Sequence, residues 1–169
     1  YDFESPQALD IDLINQHLHK LLAGEEVRLP FYDFKTGKRQ ADQTPIRLNK
    51  GDIILIDSLY GLYPPLTDGI TDSKVRIYIE PLLQLKDGRG KYVRWTDIRL
   101  MRRMLRDATH RAYDYEKTLT HWHYVRSSEL RNIIPYSGSA DFIVNSAMPY
   151  ELALYKPKVF LIMSSYVML

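Results

Sequence analysis

The chain has 169 residues, 45% hydrophobic and 26% charged, the balance of one globular domain, residues 1–169, able to bury a core. A net charge of +2 makes no case for a nucleic-acid partner; no segment reaches the roughly 20 apolar residues that span a bilayer, and the first residues lack the basic-then-apolar order of a secretory signal. The expectation is a cytoplasmic protein, and the absence of Cys excludes disulfides and thiolate metal sites.

In chain order, Ser5-Pro6 reads as an N-cap with Pro at the first helical position, and Leu9, Leu13, Ile14, Leu18, Leu21 and Leu22 recur at helical spacing until Gly24. Ile53-Ile54-Leu55-Ile56 is a short apolar run ending at Asp57, the pattern of a strand buried on both faces of a parallel sheet. Val75–Ile79 is a second strand candidate. Thr96-Asp97 is expected to cap a basic helix through Arg99, Arg102, Arg103 and Arg106, and Asp114 to start another with Leu119, Trp122 and Val125. Ala140–Val144 reads as a strand, Pro149–Tyr155 as a helix, and Val159–Met163 as a final strand or an apolar tail. Strands alternating with helices predict a three-layer α/β fold with a mainly parallel sheet.

In open sheets of that class ligands sit at the carboxyl ends of strands. Asp57 is therefore the first candidate for holding Mg²⁺ or a water bound to it, the alternative being that it caps the following turn with Ser58. His17 with His19, and His121 with His123, lie two apart on helices and face different directions, so no zinc site is expected. Trp122 is read as an anchor between helices.

Five segments in one order carry a resemblance: Tyr1–Pro6 leading into Ala8-Leu9-Asp10, Pro30–Phe34 with Thr36–Arg39, Gly51–Gly61, Asp97–Asp107, and Ala140–Ser146. Together they resemble the uridine kinase branch of the phosphoribulokinase/uridine kinase family. That resemblance implies a P-loop-type nucleoside kinase using ATP and Mg²⁺ to phosphorylate a nucleoside 5′-hydroxyl, with residues 96–133 as a lid. Arg102 and Arg106 are implied to serve the transferring phosphate and Arg99 to lie nearer the sugar. Arg111 falls near the base, Phe3, Tyr32 and Phe34 flank it, and Glu4 stands where the family has an Asp for the ribose. The bland alternative for the arginines is a solvated face paired with Asp97 and Asp107.

Departures from the pattern are specific. No G-x-x-x-x-G-K-[ST] occurs in the 169 residues, so the N-terminal strand and phosphate loop of such a kinase are missing, and the chain is expected to be a fragment inactive by itself. Gly37 replaces a base-reading His, and Asp57-Ser58 replaces Glu-Gly. Rival readings are a phosphoribulokinase- or pantothenate-kinase-like substrate range, or a non-catalytic ligand-binding or oligomerisation module. The reading leaves room for a homo-oligomer and includes no membrane partner.

Overall fold

A computed structural model describes residues 4–33, 36–67, 69–70, 74–82, 84–111 and 114–167. The side chains of residues 42, 43, 110, 111 and 161–167 lie outside that description. The chain forms two compact units, one of Tyr1–Arg76 with Arg126–Asp141, the other of Ile77–Val125 with Phe142–Leu169.

In the first unit, Ser5 caps only a short 3₁₀ turn, Pro6–Ala8, accepting from the Gln7 N–H. The main helix α1 (Ile11–Leu22) starts later, at Asp10, whose side chain accepts from the Leu13 N–H. The expected single start at Ser5 is thus replaced by two, because Asp10 offers a second cap one turn on. The helix ends as anticipated at Gly24, with φ +77°. Glu25 N–H reaches the Lys20 carbonyl and Gly24 N–H the Leu21 carbonyl, both at 2.9 Å, the Schellman arrangement that a left-handed glycine permits. Leu18 and Leu21 bury the apolar stripe. Asn15 donates to the Pro65 carbonyl at 2.7 Å, tying α1 to the 3₁₀ turn Pro64–Thr67, whose Leu66 is 2% exposed.

Strands β1 (Val27–Asp33) and β2 (Lys38–Ile46) form an antiparallel hairpin, pairing Phe31 with Gln40 and Tyr32 with Arg39. The register shifts between Leu29 and Phe31, around Pro30, which has no N–H to give to a ladder. The predicted strand at Ile53–Ile56 does not form: those residues adopt no regular structure, and Ile53 and Leu55 are each 90% exposed. A strand buried on both faces needs a paired edge and covering helices, and among the described residues the run has neither a ladder partner nor a cover.

The second unit contains the parallel pair. Strand β3 (Ile77–Glu80) runs beside a strand over Phe142–Asn145, Ile77 opposite Phe142 and Glu80 opposite Asn145. The short strands β4 (Leu85–Lys86) and β5 (Tyr92–Val93) make an antiparallel hairpin; the Phe142–Asn145 strand is β6. The architecture is mixed α/β with three two-stranded sheets, one of them parallel; the described residues do not assemble the expected large parallel sheet.

Helix α2 (Trp95–Arg106) starts one residue before the predicted Thr96-Asp97 cap, with Arg94 as N-cap making no side-chain bond; Asp97 sits in the first turn, where a carboxylate suits the helix dipole. It continues as a π-turn over Asp107–Arg111. Helix α3 (Tyr115–Asn132) opens at Asp114 as predicted, the carboxylate accepting from the Lys117 N–H at 2.8 Å. It begins in the second unit and ends in the first, where the Tyr60 and Ser128 hydroxyls share a 3.2 Å bond. Trp122 is half-buried on it. A short helix α4 (Ile134–Ser137) follows. Helix α5 (Glu151–Val167) is longer than predicted and takes in Val159–Met163 around an internal Pro157, so that stretch is neither strand nor tail. Its apolar run carries no turn signal after Pro157, and short apolar runs do not by themselves separate helix from strand.

Candidate functional site

The arginines of α2 are the best-defined polar group of the second unit. Arg99, Arg102 and Arg106 fall at i, i+3 and i+7 and share one side of the helix. Arg102 is held at several points. Its Nε and Nη2 grip the two oxygens of Glu151, Nη2 to Oε2 at 2.8 Å; Nη2 also donates to the Ser146 carbonyl at 2.8 Å and Nη1 to the Ser146 hydroxyl at 3.3 Å. Four of the five N–H donors of a guanidinium are thereby used. The Glu151 side chain is 7% exposed against 30% for Arg102. Hydrogen bonding from Arg102 holds the Glu151 carboxyl below its ordinary range, and the same bond raises Arg102. Tyr155, one turn along α5, is pushed up by burial and then by its bond to Glu151. Breaking such a pair from one side strands a poorly solvated charge and costs about 2–3 kcal/mol, toward the low end for buried pairs since Arg102 keeps some water.

The junction that receives Arg102 is itself braced. Ser146 N–H donates to the Glu80 carbonyl at 2.9 Å at the end of the parallel pair. The Asn145 side-chain carbonyl accepts from Leu82 N–H and Ala147 N–H at 2.9 and 3.0 Å. Arg102 therefore pins the middle of α2 to the carboxyl end of β3–β6 and the first turn of α5.

Arg106 is 51% exposed in its side chain, with Nε 3.6 Å from Asp107, while Arg103 meets the other Asp107 oxygen at 3.3 Å. The pairing with Asp107 foreseen for a solvated face is present, yet Asp107 itself is only 4% exposed. The Arg99 guanidinium lies 5.8 Å from the Trp95 ring centre, within reach of a cation–π attraction. Arg111 closes the π-turn; its side chain lies outside the described residues.

The remaining predicted residues belong to the first unit. Glu4 is half-buried in the turn before Pro6. Tyr32 is 44% exposed on β1 opposite Arg39, which forms a 2.6 Å ion pair with Asp10 at the start of α1. That bond, with the Leu13 N–H, lowers the Asp10 carboxyl. Phe3 and Phe34 lie outside the described residues. Asp57 is exposed. The turn after it is capped by Ser58, which accepts from the Tyr60 N–H at 3.3 Å, so Asp57 does not do the capping.

Mg²⁺ commonly takes one or two carboxylates, with waters and substrate phosphates filling the other positions. A solvent-facing Asp57 suits such a single ligand, whereas no cluster of three metal-binding side chains occurs among the described residues. The 169 residues contain no G-x-x-x-x-G-K-[ST] motif. No helix among the described residues is long and apolar enough to cross a membrane. Sequence reasoning missed Glu151 altogether; its one signal is a carboxylate at the start of a predicted helix, which does not reveal a partner 49 positions earlier.

A basic helix tied to the carboxyl end of a parallel strand pair belongs to a mixed α/β protein. A model of the phosphoribulokinase/uridine kinase family matches residues 1–152, and the chain belongs to that family. It is 27% identical over 144 residues to a uridine kinase of Brevibacillus brevis, covering 85% of this chain and 59% of the relative. It is 30% identical over 145 residues to uridine-cytidine kinase A of Dictyostelium discoideum and 31% over 145 to uridine-cytidine kinase-like 1 of Mus musculus, covering 85% of this chain and 26% and 23% of those proteins. The chain thus spans between about a quarter and three fifths of these relatives' lengths.

Proposed function

We propose that this chain is part of an ATP-dependent nucleoside kinase that transfers the γ-phosphoryl group to the 5′-hydroxyl of a pyrimidine nucleoside. The observation that carries the proposal is the family match across residues 1–152, which takes in both the aromatic hairpin and the arginine helix. In this reading the 5′-oxygen forms the new bond to phosphorus, the bond to the departing ADP oxygen breaks with its electrons leaving on ADP, and the hydroxyl proton passes to a general base of the kinase site. A loose phosphoryl-transfer transition state needs placement and positive charge more than covalent help. Arg106 supplies charge from α2, with Arg99 toward the sugar; Tyr32, with Phe3 and Phe34, offers flat apolar surface to the base, and Glu4 an acceptor to the ribose. Asp57 is the residue to hold Mg²⁺, whose chemistry is to neutralise phosphate charge. The fold of this reading is a three-layer P-loop type working in the cytoplasm.

The test is a phosphoryl-transfer assay of the protein at its natural length with Mg·ATP and a panel of nucleosides, ribulose 5-phosphate and pantothenate. Uridine or cytidine monophosphate as the main product supports the proposal. Transfer to another acceptor overturns the nucleoside assignment, and nucleoside binding with no transfer makes the protein a ligand-binding module. The 169-residue chain alone is expected to transfer nothing.

A further inference from the structure

We infer that Tyr60 is a positioning residue: through the buried bond between its hydroxyl and that of Ser128 on α3, it fixes the turn that follows Asp57, the carboxylate proposed above to hold Mg²⁺. The metal role of Asp57 rests on the proposed kinase reading; the anchor stands on geometry alone.

Between Ile53 and Gly61 the chain has one deep point of attachment. Ile53, Leu55, Ile56, Asp57 and Leu59 are exposed, whereas Tyr60 is 5% exposed and is the one buried residue of that stretch. Its hydroxyl lies 3.2 Å from the Ser128 hydroxyl. Ser128, 2% exposed, accepts in turn from the Asn132 side-chain amide at 3.1 Å. Tyr60, Ser128 and Asn132 all belong to the first unit. An apolar ring alone can slide along a helix, but a hydrogen bond weakens steeply once its length or angle departs from the optimum. Breaking this one leaves a desolvated hydroxyl without a partner. The bond therefore sets where the turn sits on α3, beyond merely burying it.

Asp57 precedes Tyr60 by three positions, so no more than about 10 Å of chain separates their Cα atoms. The link between them is stiffened. The Ser58 hydroxyl accepts from the Tyr60 N–H at 3.3 Å and the Ser58 carbonyl from the Gly61 N–H at 3.2 Å. The Tyr63 N–H then reaches the Tyr60 carbonyl at 2.9 Å, and the Tyr63 ring meets Tyr136 edge-on at 5.7 Å, which extends the hold past the turn. Upstream of Asp57, the run Ile53–Ile56 has neither ladder nor cover among the described residues, so the carboxylate is placed from the Tyr60 side. Mg²⁺ demands near-octahedral geometry from few protein oxygens, and groups that orient a metal ligand govern affinity nearly as strongly as the ligand itself.

The experiment uses the protein at its natural length and Mn²⁺, a paramagnetic stand-in for Mg²⁺, titrated by electron paramagnetic resonance with a non-hydrolysable ATP analogue present; nucleoside phosphorylation is measured alongside. Tyr60→Phe, which keeps the ring and removes the hydroxyl, is expected to weaken Mn²⁺ binding by about tenfold, the low end for a group that orients a metal ligand, while KM for the nucleoside stays within about threefold. Ser128→Ala removes the same bond from the other side and is expected to match it, the double variant losing no more than about threefold beyond either, since partners in one bond are not additive. Ser128→Ala decides should Tyr60→Phe fail to fold. Asp57→Asn is expected to weaken binding further than either, and Gly24→Ala, a destabilising change elsewhere in the same unit, to leave it unchanged. Wild-type Mn²⁺ affinity in a folded Tyr60→Phe or Ser128→Ala protein, with Asp57→Asn impaired, overturns the anchor alone. An equal loss in Gly24→Ala also overturns it, by assigning the effect to stability. Wild-type affinity in Asp57→Asn removes the metal role and the inference with it. Weakened binding in Tyr60→Phe and Asp57→Asn, with no nucleoside phosphorylated by the unsubstituted protein, upholds the anchor and overturns the kinase reading instead.

Discussion

Replacing Glu151 by Gln removes one charge from the pair with Arg102 and keeps the side-chain shape, so its effect on stability isolates the ionic part of the clamp. The Glu151 side chain is 7% exposed and Arg102 30%, which places the loss at neutral pH at about 2–3 kcal/mol, toward the low end for a pair broken from one side. For a chain of this size each kcal/mol moves the melting temperature by about 2–4 °C, so the variant should melt about 4–12 °C lower. The pH dependence has a definite sign. Hydrogen bonding from Arg102 depresses the folded-state pKa of Glu151, so the pair's contribution is present above the unfolded value near 4.3 and is lost as pH falls through the folded value. Melting curves of wild type and Glu151→Gln, taken from pH 7 down to about pH 3, should therefore converge in acid. A gap that stays constant across that range would assign the loss to packing rather than charge. No gap at pH 7 would refute the ionic reading altogether.

Arg106→Ala in the natural-length protein should lower kcat about 30- to 1,000-fold if its charge is used in the transition state, a barrier change of about 2–4 kcal/mol; near-normal kcat in a stable variant would leave it as an exposed partner of Asp107, worth about 0–1 kcal/mol. Asp57→Asn should depress kcat while leaving nucleoside affinity within about twofold and the melting temperature unchanged, and equal loss of kcat and affinity would argue against a metal role. Ile98→Ala, at a position 1% exposed, should cost about 2–5 kcal/mol in urea unfolding, a loss that exposed Ile53→Ala does not reproduce. Gly24→Ala should cost about 1–2 kcal/mol by the same measurement, because φ is +77° with no atom within 4 Å of an added Cβ, making the penalty conformational rather than steric.

Elements whose causes are local were legible in the sequence. Asp114 caps α3 and Gly24 ends α1 because a cap needs only the residues within about one turn of it. Both strands of the parallel pair, near Ile77 and Phe142, were also foreseen. Misreadings arose where two local signals competed or where a partner was required. Ser5 and Asp10 both offer caps, and the helix takes the second. The β1–β2 hairpin, with Pro30 and Pro45 in its strands, drew no prediction from the sequence, and it forms with a register shift beside Pro30. Ile53–Ile56 has the composition of a central strand, but pairing is not a property of a single segment, and the run stands exposed.

The same division holds for the site. Sequence alone determined that four arginines, Arg99, Arg102, Arg103 and Arg106, fall on one helix, since helical periodicity depends only on spacing. It could not distinguish them, because each has the same charge and similar neighbours. Tertiary structure made the distinction: Glu151 and Ser146, 49 and 44 positions away, converge on Arg102 alone, Asp107 takes Arg103 and meets a half-exposed Arg106, and Trp95 takes Arg99. Which partner each charge takes depends on desolvation and bidentate geometry, and both exist only once the chain has brought distant residues together.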